Sequence, residues 1–181
     1  MHDPELALAT AAAHAAGMVL LRHFEGALVV ETKTSPIDLV TSADRAAEAV
    51  ILDALRAARP QHSILSEESG FSGQAPRDMI LPPPGSLRWV VDPLDGTTNF
   101  AHGFPHFSVS IALCDERGPR LGVVHDPIRG ETFTAVRGQG AVLERSGRST
   151  RRLAVSGVDA LQKALVATGF SYRRATAPND N

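Results

Sequence analysis

Asp92 and Asp95 are the residues of this sequence best placed to do chemistry. They sit three positions apart in Trp89-Val90-Val91-Asp92-Pro93-Leu94-Asp95-Gly96-Thr97-Thr98-Asn99-Phe100. An apolar run delivers them, and their spacing reads as a tight turn. Two carboxylates held about 4 Å apart repel by about 4 kcal/mol at an effective dielectric of about 20. A chain that fixes them there usually offsets the repulsion with a cation, and Mg²⁺ takes several oxygen ligands, backbone carbonyls included. Gly96-Thr97-Thr98 would open a helix, and the free N–H groups of a helix start are a natural seat for phosphate. Metal and phosphate side by side suggest metal-assisted phosphoryl chemistry. Two further acidic segments, Asp38 to Asp44 and Glu67-Glu68, lie at predicted strand ends or helix starts, junctions that can converge at one sheet edge. Glu67, Asp92 and Asp95 would then supply carboxylates, with the Leu94 carbonyl pointing inward. Plainer readings stand beside these. Asp-Gly is ordinary turn chemistry, Asp44 with Thr41 can complete a capping box, and Glu68 reads as a solvated neighbour of Glu67.

The elements that must position these groups follow from pattern. Pro4 to Phe24 is Ala-rich and almost free of breakers, a helix with Pro4 in its first turn. Ala27 to Lys33 fits a strand, and Thr34-Ser35-Pro36 a polar loop. A second helix runs from Thr41 to about Arg59, stopped by Pro60. Ser63 to Ser66 is a short strand leading into Glu67, and Phe71 to Ser86 is loop-like. Leu87 to Val91 is a buried strand delivering Asp92. Phe107 to Leu113, Leu121 to Val124 and Thr132 to Val136 read as strands joined by short turns, which argues for an antiparallel sheet. A weaker strand lies near Ala141 to Leu143. The basic Arg145 to Arg152 stretch reads as a solvated loop, and Ala164 to Thr168 as one more buried strand.

A chain of 181 residues supports one domain with a sizeable core. Its net charge of −2 gives no electrostatic reason to expect nucleic acid or an anionic membrane as partner. Cys114 is alone, which excludes an internal disulfide framework and fits a reducing cytosol. Acidic Asp3 and Glu5 stand where a signal peptide would be basic, and the apolar stretch from Gly17 to Leu21 is too short for a membrane span. A cytoplasmic location is expected. The seven histidines show no paired zinc-ligand spacing. His102 and His106 have Gly103 and Pro105 between them, and His125 reads as structural.

Asp92-Pro93-Leu94-Asp95-Gly96-Thr97-Thr98-Asn99-Phe100 resembles the signature of the inositol monophosphatase family of Mg²⁺-dependent, lithium-sensitive phosphatases. Lys33 to Asp44 resembles the family's amino-terminal segment, and Ser66-Glu67-Glu68-Ser69 its metal-binding glutamate segment. Gly103-Phe104-Pro105, Asp126-Pro127 and Arg137-Gly138-Gln139-Gly140-Ala141 follow in the expected order. The resemblance implies an α+β chain with the layered αβαβα sugar-phosphatase fold and an antiparallel sheet. It implies two or three Mg²⁺ ions: Glu67, Asp92 and the Leu94 carbonyl hold the first, and Asp92 and Asp95 share others. Asp95, Gly96 and Thr97 line the phosphate seat. Thr97, hydrogen-bonded to Asp44, activates the attacking water, with Glu67 completing the catalytic set. Lys33 supports the ligands from a mobile loop. The implied reaction is hydrolysis of a small phosphate monoester, inositol-1-monophosphate foremost. Histidinol-phosphatase, fructose-1,6-bisphosphatase and 3′(2′),5′-bisphosphate nucleotidase activities stay open. So does a non-catalytic binding protein of the same fold, since some bacterial relatives join transcription antitermination complexes. A homodimer is also implied.

Members of the family carry a further metal-binding aspartate in a Trp-Asp-x-Ala segment. Trp89 is the only tryptophan here, and nothing after Asp159 resembles that segment. The expectation is therefore a fold lacking its C-terminal part. Residues 1–160 would form the N-terminal metal-binding portion, and 161–181 would begin a truncated C-terminal α/β portion in which Leu165 to Thr168 is the first strand. Weak metal binding and little turnover are expected of such a chain.

Overall fold

The computed structural model describes residues 3–24, 30–32, 39–72, 81–145 and 147–167. Helix α1 spans Pro4–Phe24. Asp3 caps it, its Oδ1 accepting the N–H groups of Glu5 (3.0 Å) and Leu6 (3.2 Å). Its buried residues Ala9, Ala12, Ala13, Ala16, Gly17 and Leu20 recur at the helical period, so one stripe of small side chains lies against the core. By length and composition its 21 residues include a window apolar enough to cross a membrane. The short Gly17–Leu21 stretch understated this, because the alanines make the whole helix apolar. In the fold the helix packs on the sheet and on a second helix, and a third of its most apolar window is buried.

Strands β1 (Val30–Thr32) and β2 (Leu39–Thr41) form a separate antiparallel pair. Thr41 thus closes a strand, and helix α2 (Ser42–Ala58) starts one residue later than expected. Asp44, Ala47, Glu48, Ile51, Leu52 and Leu55 are among its buried residues.

The main sheet has eight strands: β3 (Ser63–Ser66), β4 (Gly70–Ser72), β5 (Arg88–Asp95), β6 (Ser108–Asp115), β7 (Gly118–Asp126), β8 (Glu131–Val136), β9 (Gly140–Arg145) and β10 (Arg151–Leu153). Their spatial order is β10-β9-β8-β7-β6-β5-β3-β4. All neighbours are antiparallel except β3 and β5, which run parallel, so the expected antiparallel sheet carries one parallel pair at the end where Glu67 emerges. The reading of Phe71 onward as loop gives way to β4, and that of Arg145 to Arg152 to the end of β9 and to β10.

Register fixes the core. Trp89 pairs with Leu113, Val91 with Ile111, Ile111 with Val123 and Leu113 with Leu121, all buried on one face. With Leu20, Ile51 and Leu55 they form a continuous cluster, each large side chain contributing about 1.5–3 kcal/mol on burial. Strand alternation leaves Val90, Asp92, Ser110 and Ala112 on the opposite face, half-buried.

The strand expected from Leu165 to Thr168 is absent from 164–167. A 3₁₀ turn, Leu161–Lys163, leads into irregular backbone with Leu165 and Val166 exposed. An apolar segment becomes a strand only where another strand accepts its backbone hydrogen bonds, and neither sheet includes it.

Candidate metal and phosphate site

The two aspartates are not on a tight turn. Both belong to β5, with Asp92 opposite Ser110 and Asp95 opposite Ser108. Pro93 and Leu94 therefore face the single residue Val109, a β-bulge. Proline, having no N–H to give a ladder, is tolerated there. The bulge turns the backbone back on itself. The Leu94 N–H bonds Asp92 Oδ1 (3.1 Å), and the Thr97 hydroxyl donates to the Leu94 carbonyl (2.9 Å). The single proton of Thr97 is thus spent on Leu94 and not on Asp44, where the resemblance placed it. Asp44 itself is buried in the first turn of α2.

Gly96 follows in the left-handed region (φ 98°) and caps helix α3 (Thr97–Ala101). A Cβ there would stand 2.9 Å from the His106 carbonyl oxygen and 3.3 Å from Phe107 Cα, so conformation and space both demand glycine. Phe100 anchors α3 in the core, its ring 5.3 Å from Phe24 and 4.8 Å from Phe107 between centroids. The N–H groups at the start of α3 consequently occupy a fixed place beside Asp95.

Glu67 opens the turn between β3 and β4, and its N–H is held by the Val91 carbonyl (3.1 Å), one residue before Asp92. Glu67 and Asp92 line one cavity of about 510 Å³, together with Ser66, Val91 and Ser110. Burial first, then the charges of Glu67 and Asp95 and a hydrogen bond to the Glu67 side chain, push the Asp92 carboxyl up to about 7. The three acids named from sequence therefore interact, although Asp95 is exposed at the end of β5 and does not line the cavity.

Among the described residues, no three His, Cys, Asp or Glu side chains form a ready metal cage. The site's donors are hard oxygens: the Glu67–Asp92 pair, Asp95 close by, and the bulge carbonyl of Leu94. That set fits Mg²⁺, which keeps several waters and takes one or two protein carboxylates. Lys33 and Asp38 lie outside the described residues.

Sequence reading passed over Glu48. It is 6% exposed on α2, where its carboxylate accepts the Ser66 and Ser69 hydroxyls and the Ser69 N–H (2.9 Å). Its place one turn after Asp44 on the buried stripe was the available signal. Elsewhere, His14 and His125 both contact the Thr132 hydroxyl (2.9 and 3.0 Å) between α1 and the sheet, bearing out a structural role for His125. Burial, with His14 beside it, lowers the His125 imidazole to about 4. His102 ends α3 and His106 is exposed, with no helix joining them.

Known proteins show the same chain pattern. The inositol monophosphatase family model matches residues 1–181, and this chain belongs to that family. The Nus factor SuhB of Pseudomonas aeruginosa is 47% identical over 177 residues, covering 94% of this chain and 59% of that protein. The solved inositol monophosphatase of Anabaena superposes with a TM-score of 0.77 at 41% identity, over 96% of this chain and 58% of that one. An IMPase/NADP phosphatase complexed with Mg²⁺ and phosphate superposes with a TM-score of 0.59 at 26% identity, over 73% and 46%. The chain spans about three fifths of the length of the curated relatives it matches. Its α+β architecture is that of the inositol monophosphatase fold.

Proposed function

We propose that the protein is a Mg²⁺-dependent phosphomonoesterase whose metal-binding portion is the region described above. One observation carries the reading: the Glu67 and Asp92 carboxylates meet in one cavity, where burial first and then the charges of Glu67 and Asp95 push the Asp92 carboxyl up to about 7. Like charges brought together this way favour a cation. The solved relative with Mg²⁺ and phosphate supports the same ligand chemistry.

Glu67 and Asp92 would hold the ion, with Asp95 and the Leu94 carbonyl available for it or for a second one. When bound, Mg²⁺ would polarise the phosphoryl oxygens and lower the pKa of a water. The chain's own residues do the rest. Gly96 and Thr97 present N–H groups to phosphate oxygens at the start of α3. The bulge fixes Thr97 through Leu94, so its hydroxyl oxygen keeps lone pairs free to accept a hydrogen bond from an incoming water and orient it. Asp44, buried on α2, would support that end of the site. A small monoester fits best, inositol-1-monophosphate first. Histidinol phosphate, fructose-1,6-bisphosphate and 3′(2′),5′-bisphosphate nucleotides are the competing substrates.

The relatives named Nus factor SuhB motivate a second reading, a binding protein that keeps this fold without turnover. A phosphate-release panel on the full-length protein, with Mg²⁺ and with lithium added as inhibitor, separates the two. Release from one monoester, abolished by Asp92→Asn, supports the enzyme. No release from any substrate, with Mg²⁺ binding absent by calorimetry, refutes it.

A further inference from the structure

We propose that Glu48 is the positioning residue of the metal centre, the group that sets where the Glu67 carboxylate stands. The proposal rests on the reading of Glu67 and Asp92 as magnesium ligands. Glu48 lies on α2 and is almost wholly buried. Both of its oxygens are occupied: Oε1 by the Ser66 hydroxyl and the Ser69 N–H (2.9 Å), Oε2 by the Ser69 hydroxyl. A buried carboxylate is costly unless donors satisfy it, and here the donors come from the two residues that bracket Glu67-Glu68. Hydrogen bonds to an ionised acceptor are roughly twice as strong as neutral ones. The turn is thus tied to α2 at each end, while the Glu67 N–H ties its start to β5 beside Asp92. With three hydrogen bonds already accepted and almost no exposure, Glu48 is not itself a ligand candidate. It acts through Glu67, holding the turn against the repulsion that would push Glu67 away from Asp92.

Two measurements test this. Glu48→Gln keeps the shape, but its amide nitrogen cannot accept a serine hydroxyl. Amide hydrogen exchange at Ser69, followed without metal, should quicken by about tenfold or more if one donor tie is lost. Calorimetry with Mg²⁺ should show Kd raised about 10–100-fold, as for other partners that orient metal ligands, with the melting temperature nearly unchanged and binding recovered at high Mg²⁺. Ser69→Ala, at an exposed position, should shift Kd the same way by a smaller factor, and it carries the test if Glu48→Gln fails to fold. Glu67→Gln is the control. If it abolishes Mg²⁺ binding while Glu48→Gln and Ser69→Ala stay within about twofold of the parent, a change worth under ~0.5 kcal/mol, Glu48 positions nothing. If Glu67→Gln leaves Mg²⁺ binding intact, the metal reading itself fails and this proposal with it, whatever the exchange data show.

Discussion

Replacing Asp92 with Asn should make the metal-free protein more stable, and the size of the gain follows from the site. The folded carboxyl titrates near 7 against an ordinary 3.8. That displacement is worth about 4 kcal/mol at full value, and solvent in the cleft reduces the recoverable part to roughly 2 kcal/mol. Because the folded pKa lies above the unfolded one, the native state holds the proton more tightly. Stability is therefore greatest below about pH 4 and falls as pH rises through 7. Asn is isosteric, keeps the acceptor for the Leu94 N–H, and carries no charge against Glu67. At pH 8 in EDTA, Asp92→Asn should raise Tm by about 4–8 °C for a chain of this size. The gain should shrink to about one third at pH 5 and vanish near pH 4. Millimolar Mg²⁺ should raise the Tm of the parent and leave the variant unmoved, since a ligand that binds only the native state stabilises by mass action. Differential scanning fluorimetry across pH, with and without Mg²⁺, reads all of this. A variant less stable than the parent at pH 8 in EDTA would refute the reasoning, as would one that keeps the Mg²⁺ response.

Other substitutions test the packing of the fold. Gly96→Ala must place a Cβ 2.9 Å from the His106 carbonyl at φ 98°, and should cost about 2–3 kcal/mol by urea denaturation, combining backbone strain with a clash. Gly17→Ala gains about 1 kcal/mol of helix propensity, yet its Cβ would stand 2.7 Å from His125 Cδ2 and 3.2 Å from Pro127 Cβ. Overpacking costs about 1–3 kcal/mol, so a net loss is expected, reversing to a gain in a His125→Ala background in a double-mutant cycle. His125, held near 4 against an ordinary 6.5, stays neutral in the fold while the unfolded chain takes up a proton. Stability should fall as pH drops from 6.5 to 4, by about 1–2 kcal/mol once solvent access discounts the full shift. His125→Gln should flatten that slope in urea midpoints measured across the range.

Much of this was legible from residue order. The alanine spacing of α1, the breaker Pro60 after α2, and the alternation of Val109, Ile111 and Leu113 each carry a periodic signal that packing then uses. Strands β4 and β10 were missed because three residues give no period to detect, and only a neighbouring strand makes them strands. Leu165 and Val166 show the converse: apolar and strand-like in sequence, they find no partner strand and stay exposed. Asp92, Asp95 and Glu67 stood out because acidic residues fall where predicted strands end, and the structure brings Glu67 and Asp92 to one cavity. Glu48 was not, because a glutamate inside a helix looks like surface until the fold shows two serines closing on it.

The bulge in β5, where a tight turn was expected, explains why the acidic pair has its spacing. In a regular strand, residues three apart point to opposite faces, so a spacing of three should separate two carboxylates. Here their partners Ser110 and Ser108 are two apart on β6 and share a face. The extra residue of the bulge restores the phase and brings Asp95 back to the side of Asp92. It also leaves Pro93 and Leu94 off the ladder, where the missing N–H of Pro93 does no harm and the Leu94 carbonyl is released to take the Thr97 hydroxyl. Asp-Pro-Leu-Asp is therefore a bulge written into a strand. The same irregularity aligns the charges, frees a carbonyl and orients the hydroxyl.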